Sequence, residues 1–477
     1  MTYLEKIKND KLLLASLVLL IAVGLCFAYI ATMVLKYIGG TIALGVIAVL
    51  VVLAAIMALL HYKKPKVALV FEVLLLVICV LVSGLLMKVN SLAGGIHVNK
   101  EYETVQIVAL KDSGIEATDD FSKYILGYGS TDNDTYEKFS GILEENSKAV
   151  SKSKPYDDTQ KLYDALKSND VQLMVLTNNE KSDLSVIDEE YEDKIVVLFE
   201  KKYELDMIAT KPVDVSKEPF TVYLQGADLS SKDEISSTGR GDVNILLTVN
   251  PKTEQVYMQV IPRDTFVYIP SRGGSSKLSY SGWWGGVQSS IDSIEDKFDI
   301  EINYYAKINF NGLIDLVDAL GGVTVYSHHT YSYQGYHFTE GYNEVDGQKA
   351  LRFARARKML PKNELSRGQH QMELIKGIFK KFAENPTYEN SMAVIDSLSD
   401  NFITNIPEED YYKVFKLVVK LLPELQEMEN HSIEGEYQWH YDEVRKGYYQ
   451  YYYYPKESEI ERVRESIQLI KDGKTID

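Results

Sequence analysis

Arginine is scarce in this chain and unevenly placed. Of the 51 basic residues, 41 are lysine and 10 are arginine. None of the ten occurs before residue 240. Seven fall between 240 and 367: Arg240, Arg263, Arg272, Arg352, Arg355, Arg357 and Arg367. A chain that meets its general need for positive charge with lysine has concentrated arginine in one region. The guanidinium is a planar fork that takes a phosphate or a carboxylate with two parallel hydrogen bonds, which an ammonium cannot do. The clustering points to an anion grip. Ordinary ion pairing in a chain with 68 acids is the alternative.

Spacing sharpens the chemistry. Arg240 and Asp242 lie two apart at the start of an apolar run, so as strand residues they share a face. Arg355 and Arg357 are also two apart; in an extended segment they stand side by side, about 7 Å apart. That separation suits the two phosphates of a pyrophosphate. Arg367 and Gln371 are an i,i+4 pair on one helix face. Arg263 and Asp264 close a strand at Ile261-Pro262-Arg263-Asp264. Asp228 and Asp242 bracket the loop that carries Arg240. Mg²⁺ typically takes one or two protein carboxylates plus phosphate oxygens, so two carboxylates among arginines suit a magnesium-bridged pyrophosphate. Asp228 as a plain turn residue is the other reading. Asp264 is a candidate base, with a structural ion pair to a neighbouring arginine as its competing role.

These side chains need a scaffold. Apolar runs at 220–224, 243–249 and 255–261 read as strands, the last two joined by the turn Asn250-Pro251-Lys252-Thr253. Residues 287–297 read as helix and 302–310 as strand. Residues 312–320 read as a helix ended by Gly321-Gly322, followed by a strand at 323–326 and a long amphipathic helix at 367–384. The alternation predicts an α/β/α sandwich over 217–382. Upstream, 105–110, 171–176 and 194–199 read as buried strands between helix-like stretches at 136–154 and 158–166. Residues 100–215 therefore form a separate accessory α/β domain, whose scattered acids suit a solvated surface. Residues 383–477 add helices at 387–398, 408–421 and 457–470, packed on the sandwich. The tyrosine run at 448–454 suits a strand, with stacking on sugar rings as the alternative.

The first 98 residues are of another kind. Residues 12–35 and 41–60 contain no charge, and 67–87 contain only Glu72. A bilayer core takes about 20 apolar residues per helix, so all three read as membrane spans. A cleaved signal peptide does not fit, because the first run is too long and a second span follows at once. Lys6, Lys8 and Lys11 precede the first span, and Lys63, Lys64 and Lys66 lie between the second and third. The positive-inside rule puts both groups in the cytoplasm and everything after about residue 88 outside the cell. The first 98 residues carry a charge of +5, which leaves −22 on the remainder. Cys26 and Cys79 both fall inside spans, so the exported part has no thiol, as suits a bacterial surface protein without disulfides.

Several separate segments together resemble one family. They are Arg240-Gly-Asp-Val-Asn-Ile-Leu-Leu-Thr-Val-Asn-Pro-Lys-Thr253, Ile261-Pro-Arg-Asp-Thr265, Ile302-Asn-Tyr-Tyr-Ala-Lys-Ile-Asn-Phe310, Leu316-Val-Asp-Ala-Leu-Gly-Gly-Val323, Phe353-Ala-Arg-Ala-Arg357 and Arg367-Gly-Gln-His-Gln371. In this order they resemble the LytR–CpsA–Psr family, and the three spans with an intervening domain resemble its capsule-associated branch. The resemblance implies a transferase that moves a cell-wall or capsular glycopolymer from a polyprenyl-pyrophosphate carrier to peptidoglycan at the outer membrane face. It implies that Asp228 and Asp242 hold Mg²⁺, and that Arg240, Arg263, Arg355, Arg357, Arg367 and Gln371 hold the pyrophosphate. It places the lipid in an apolar tunnel through the sandwich, and it admits other membrane proteins of polysaccharide assembly as partners. The sequence departs from the family pattern at Ser366 and His370.

Composition narrows the field further. A 45% apolar content excludes a disordered chain, two cysteines exclude a disulfide framework, and a net charge of −17 argues against nucleic acid as a partner. Two rivals remain: a lipid-carrier-binding regulator, which needs the arginine cluster but no metal-dependent turnover, and a hydrolase, which shares every site residue and in which water replaces the acceptor hydroxyl. Adhesion through Arg240-Gly241-Asp242 is excluded by context, because the tripeptide runs directly into an apolar strand rather than sitting in a loop.

Overall fold

The computed structural model describes residues 11–37, 40–96, 101–129, 135–188, 190–205, 211–229, 234–235, 237–384, 394, 397–398, 401–427, 432–444 and 449–476. The chain divides into two compact units: Met1–His97 with Ile406–Val419, and Val98–Asn405 with Lys420–Asp477.

In the first unit, helices Lys11–Tyr37, Gly40–Lys63 and Pro65–Ile96 contain three stretches long and apolar enough to cross a membrane. Val23, Phe27, Ile30, Met57 and Cys79 pack between them, while leucine, valine and isoleucine cover their outer faces. One polar knot joins all three helices. The Ser16 hydroxyl donates to Glu72 Oε2 at 2.7 Å and lies 2.7 Å from His61 Nδ1, and all three residues are buried. Polar side chains of this kind bond across apolar helix interfaces.

The second unit begins with strands β1 (Tyr102–Leu110), β2 (Ile125–Gly129), β3 (Lys152–Tyr156), β4 (Leu173–Leu176) and β5 (Ile195–Glu204), ordered β3-β2-β4-β1-β5. Helices Thr135–Glu145, Thr159–Lys167 and Asn178–Ile187 pack on this sheet, whose apolar side chains form cores on both faces. The helix expected over 136–154 stops at Glu145. Ser147 then takes a φ of +54°, and residues 152–156 pair with β2. Pro155 is tolerated because β3 is an edge strand.

The second sheet positions the arginines. Its strands are β6 (Phe220–Asp228), β7 (Arg240–Asn250) and β8 (Gln255–Val260). A small hairpin of β9 (Phe266–Ile269) and β10 (Gly274–Lys277) follows, then β11 (Tyr304–Asn309). Beyond them lie β12 (Val323–Ser327), β13 (Tyr331–Tyr333), β14 (Tyr336–Phe338) and β15 (Gly341–Val345), and β16 (Phe402–Thr404) completes the central order β16-β11-β6-β7-β8. Alternation along β8 sends Tyr257 to one face, into the core formed with helices Leu278–Phe298 and Glu457–Lys471. Val260 faces the opposite side, against Gly368 of helix Glu364–Glu384. Helices thus cover both faces, as the alternating pattern predicts.

The C-terminal region differs from the expected set of helices. Residues 402–404 add a strand to the central sheet, and β17 (Gly435–Tyr441) pairs with β18 (Tyr449–Pro455) as an antiparallel hairpin. Short strands that join a sheet laid down far earlier carry little periodic signal of their own. Helices Tyr411–Glu427 and Glu457–Lys471 match the other expectations, whereas most of 387–398 lies outside the described residues.

A buried ion pair ties the first sheet to the second. Glu101, just before β1, binds Lys307 of β11, and both side chains are almost wholly enclosed. Lys307 Nζ also donates to Ser237 O at 2.7 Å, and the other Glu101 oxygen accepts from Val287 N–H. Gly286 makes room for that carboxylate. Its φ is +62°, and a Cβ there would lie 2.0 Å from Glu101 Oε2.

Candidate functional site

The site forms where β6 ends and β7 begins. Asp228 is the last residue of β6 and pairs across the ladder with Arg240, the first of β7. Their side chains also meet, Arg240 Nη2 donating to Asp228 Oδ2 at 3.0 Å. The ladder then skips one residue: Ala227 pairs with Gly241 and Gly226 with Val243. Asp242 is the extra residue of this β-bulge, a device that re-aims a side chain out of the regular alternation. Its carboxylate accepts from Arg263 Nη1 at 2.6 Å.

Arg263 and Asp264 occupy the turn after β8, which the start of helix Leu278–Phe298 fixes. Ser279 N donates to Arg263 O at 2.9 Å, and Leu278 N donates to Thr265 O at 2.9 Å. Asp264 is buried and lies 3.1 Å from Lys277 Nζ, 3.2 Å from Arg357 Nη2 and 3.9 Å from Arg263 Nε. Arg367 is buried in the first turns of its helix. It donates to Glu364 Oε2 at 2.5 Å and to the Asp242 carbonyl at 3.5 Å. Gln371, one turn on, reaches Ala354 O at 3.5 Å, next to Arg355.

The structure corrects one geometric expectation. Arg355 and Arg357 do not lie on an extended segment: Arg355 ends helix Gly347–Arg355, and Ala356 is its C-cap. Cations favour that end of a helix. The two arginines consequently take different partners. Arg355 is exposed, with its guanidinium 4.4 Å from the Phe310 ring centroid. Arg357 is shared between Asp264 and Glu364.

Charge couples the groups. Burial and the nearby Asp242 carboxylate push the Asp228 carboxyl above its ordinary range, against the pull of Arg240 and Arg355. Burial also opposes ionisation of Asp242, but Arg263, Arg367 and Arg240 outweigh it and hold that carboxyl below the ordinary range. Asp264 behaves likewise: burial raises it, and Lys277, Arg263 and Arg357 lower it further. A carboxylate so stabilised is a poor proton acceptor, so geometry favours the ion-pair role for Asp264 over the base.

Asp228 and Asp242 repel each other across a gap flanked by arginines. Two such carboxylates could hold a divalent cation whose remaining ligands came from phosphate oxygens. Among the described residues no cluster of three or more histidine, cysteine or acidic side chains offers a complete protein cage. A cavity of about 20 Å³ borders Asp242, Arg263 and Arg367. It has room for about one water.

Four participants carried little sequence signal. Glu364, three residues before Arg367, is the buried acid that spaces two guanidiniums; the i,i+3 interval was its only clue. Lys277 closes Asp264. Trp283 lies 5.0 Å from the Arg240 guanidinium and stacks on Tyr280, and Phe310 supports Arg355. His370 has a core role, buried 4.2 Å from the Phe353 ring and pushed down to about 3 by that burial.

The structure is thus a mixed sheet covered by helices on both faces, an α/β domain with six cationic side chains gathered at one end around four carboxylates. The LytR_cpsA_psr family matches residues 167–468, and this chain belongs to that family. It is 36% identical over 199 residues to the Enterococcus faecalis V583 protein named polyisoprenyl-teichoic acid–peptidoglycan teichoic acid transferase TagU. It is 34% identical over 205 residues to the protein of the same name from Bacillus subtilis 168. Those alignments cover 42% and 43% of this chain and 65% and 66% of the relatives, just under two thirds of their length. A crystal structure of B. subtilis TagU aligns with 55% of this chain and all of that one, at 29% identity and a TM-score of 0.43.

Proposed function

We propose that this chain is a membrane-anchored phosphotransferase that moves a cell-wall or capsular glycopolymer from a polyprenyl-pyrophosphate carrier to peptidoglycan. The observation that carries this reading is the bulged Asp242 beside Asp228, ringed by Arg240, Arg263, Arg355 and Arg367. The names of the relatives, which join a polyisoprenyl-linked polymer to peptidoglycan, support it. Lysine placement supports a cytoplasmic N-terminus and an outward-facing catalytic domain, where both substrates lie. Tethering the domain to the bilayer raises its effective concentration toward a lipid-bound donor.

In the reaction, an acceptor hydroxyl oxygen bonds to the sugar-linked phosphorus. The bond from that phosphorus to the bridging oxygen breaks, and lipid phosphate leaves with the electron pair. The hydroxyl proton goes to the departing phosphate or to solvent. Catalysis of this kind is mainly positioning and neutralisation of growing charge. Arg240, oriented by Asp228 and Trp283, and Arg263, oriented by Asp242, are pre-aimed forks for the phosphate oxygens. Arg355 covers the exposed side, while Arg357 and Arg367 are set by Glu364. Gln371 steadies the helix end that carries Arg355. Asp228 and Asp242 would hold Mg²⁺, which when bound neutralises charge shared by the two phosphates.

The test is to incubate full-length protein in detergent with a polyprenyl-pyrophosphate glycan, Mg²⁺ and soluble peptidoglycan fragments. A covalently linked product is expected. Release of free glycan phosphate would make the protein a hydrolase, and saturable binding without turnover would make it a regulator. A reporter fused after Asp477 that works only in the cytoplasm would overturn the topology and the substrate with it.

A further inference from the structure

We propose that the aromatic face of the β17–β18 hairpin is a saccharide-binding platform that seats the glycan strand of the acceptor. The inference rests on the transfer reading for the identity of the acceptor; the platform itself stands on separate observations.

The register places Tyr437 opposite Tyr453, Trp439 opposite Tyr451 and Tyr441 opposite Tyr449, all on one face. The rings pair across the strands at centroid distances of 5.1, 4.8 and 5.3 Å. They form a ladder with rungs about 7 Å apart, the spacing of alternate strand residues. The hairpin's other face supplies its attachment: Phe266 packs against His440, Tyr452 and Tyr454.

Exposure differs along the ladder. Tyr453 is buried and its hydroxyl donates to Ile433 O, whereas Trp439 and Tyr451 are each 59% exposed. A two-stranded hairpin needs cross-strand packing to persist, which accounts for the ring pairs. It does not account for four large rings kept in water in the outer rungs, where threonine or valine would serve a strand as well.

The ladder starts at the anion site. Tyr453 N–H donates to Asp264 O at 2.8 Å, and residues 265 and 453 form a β-bridge. Tyr437 packs on Tyr453 in that first rung, and burial and then the charges of Asp264 and Glu364 push its phenol up. A chain laid along the rungs therefore runs from the phosphate grip outward. Among the described residues of the two strands, those on the face formed by Tyr437, Trp439, Tyr441, Tyr449, Tyr451 and Tyr453 include no ionic side chain. It suits the uncharged backbone of an amino-sugar glycan, whose C–H faces lie flat on rings while edge hydroxyls meet tyrosine O–H groups. A phosphate-rich donor polymer would require arginine or lysine there. A bilayer interface also accepts tryptophan and tyrosine, but it offers no reason for the ladder to begin at Asp264.

The experiment uses the full chain in nanodiscs and compares wild type, Trp439→Ala/Tyr451→Ala and Trp439→Phe/Tyr451→Phe. Soluble peptidoglycan tetrasaccharide and inorganic pyrophosphate are the separate calorimetric probes. The alanine pair should lose at least tenfold in tetrasaccharide affinity, the phenylalanine pair should recover most of it, and pyrophosphate affinity should not move. Unchanged saccharide binding by the alanine pair, or equal loss for both probes, would overturn the platform. Loss of adsorption to lipid vesicles alone would make the face a membrane contact instead. Saccharide binding that persists in a protein unable to transfer would sink the transfer reading and leave the platform standing.

Discussion

Replacing Glu364 by glutamine separates an anion site from an ion-pair scaffold, because the two roles predict changes of opposite sign. Glu364 is enclosed between Arg357 and Arg367, with its side chain only 2% exposed. Removing one partner of a buried pair costs about 3 kcal/mol or more. Glutamine keeps one acceptor oxygen, so the low end applies. In a unit of this size that corresponds to a fall in Tm of roughly 5 °C. Arg367 carries most of the strain, since burial and the charges of Arg263 and Arg357 already disfavour its ionised form. The site now sets Arg240, Arg263, Lys277, Arg355, Arg357 and Arg367 against Asp228, Asp242, Asp264 and Glu364, a surplus of two positive charges; the substitution makes it three. One added unit charge about 8 Å from a phosphate is worth about 2 kcal/mol at an effective dielectric of 20. Screening at the exposed mouth reduces this to about 1 kcal/mol, or roughly fivefold. Glu364→Gln should therefore bind inorganic pyrophosphate more tightly while melting earlier. Calorimetry and a thermal scan on the same preparation read both. Affinity that falls in step with stability would refute the reasoning and make Glu364 a strut for the guanidiniums.

Arg355→Ala should leave Tm within about 1 °C and weaken pyrophosphate binding at least tenfold. Arg357→Ala should weaken binding and also lower Tm, because Asp264 and Glu364 lose a buried partner. The Asp228 carboxyl is raised in the folded state, so its ionisation opposes folding at neutral pH, and that penalty disappears as pH falls below the ordinary carboxylate value. In metal-free protein, Asp228→Asn should thus raise Tm at pH 7 and not below about pH 3.8; Mg²⁺ should raise the wild-type Tm and leave the variant nearly unmoved. Asp242 is shifted the other way. Its contribution is complete above the ordinary carboxylate value and is lost as pH falls through its lower folded value. Asp242→Asn should accordingly lower Tm at pH 7 by freeing Arg263, and it should abolish Mg²⁺-dependent turnover measured in a chelator-buffered series.

The central elements were legible because their periodicity is long and strong. Residues 243–249 and 255–261 form a hairpin, the elements after it alternate between helix and strand, with ends that carry Gly321-Gly322 or polar caps, and the sandwich follows from that order. The arginines pointed to an anion by number alone, and the structure brings six cationic side chains together. Their geometry was less accessible. Whether Arg355 and Arg357 stand side by side depends on whether a helix ends one residue earlier, and Ala356 gives no local signal for that. The bulge at Asp242 depends on the register with β6, which is a property of two strands and not of one. Glu364 and Lys277 are invisible for a related reason: a single acid or lysine in a charged chain reads as surface until the fold encloses it. The tyrosine run showed its strand character through alternation, and only pairing with β17 revealed the aromatic face.

The Glu101–Lys307 pair has a consequence for the order in which the chain can be built. The two residues are 206 positions apart, so Glu101 leaves the ribosome about 10–40 s before its partner at usual synthesis rates of 5–20 residues per second. Until then the first sheet can form, but the carboxylate that docks it has only water for company. Docking waits for β11, and β11 in turn gains a place for its lysine only when the finished first sheet is present. The two sheets therefore complete each other late and together. A nascent chain arrested near residue 290 should leave the segment around Glu101 open to protease, whereas one arrested beyond about residue 350, with β11 clear of the exit tunnel, should protect it.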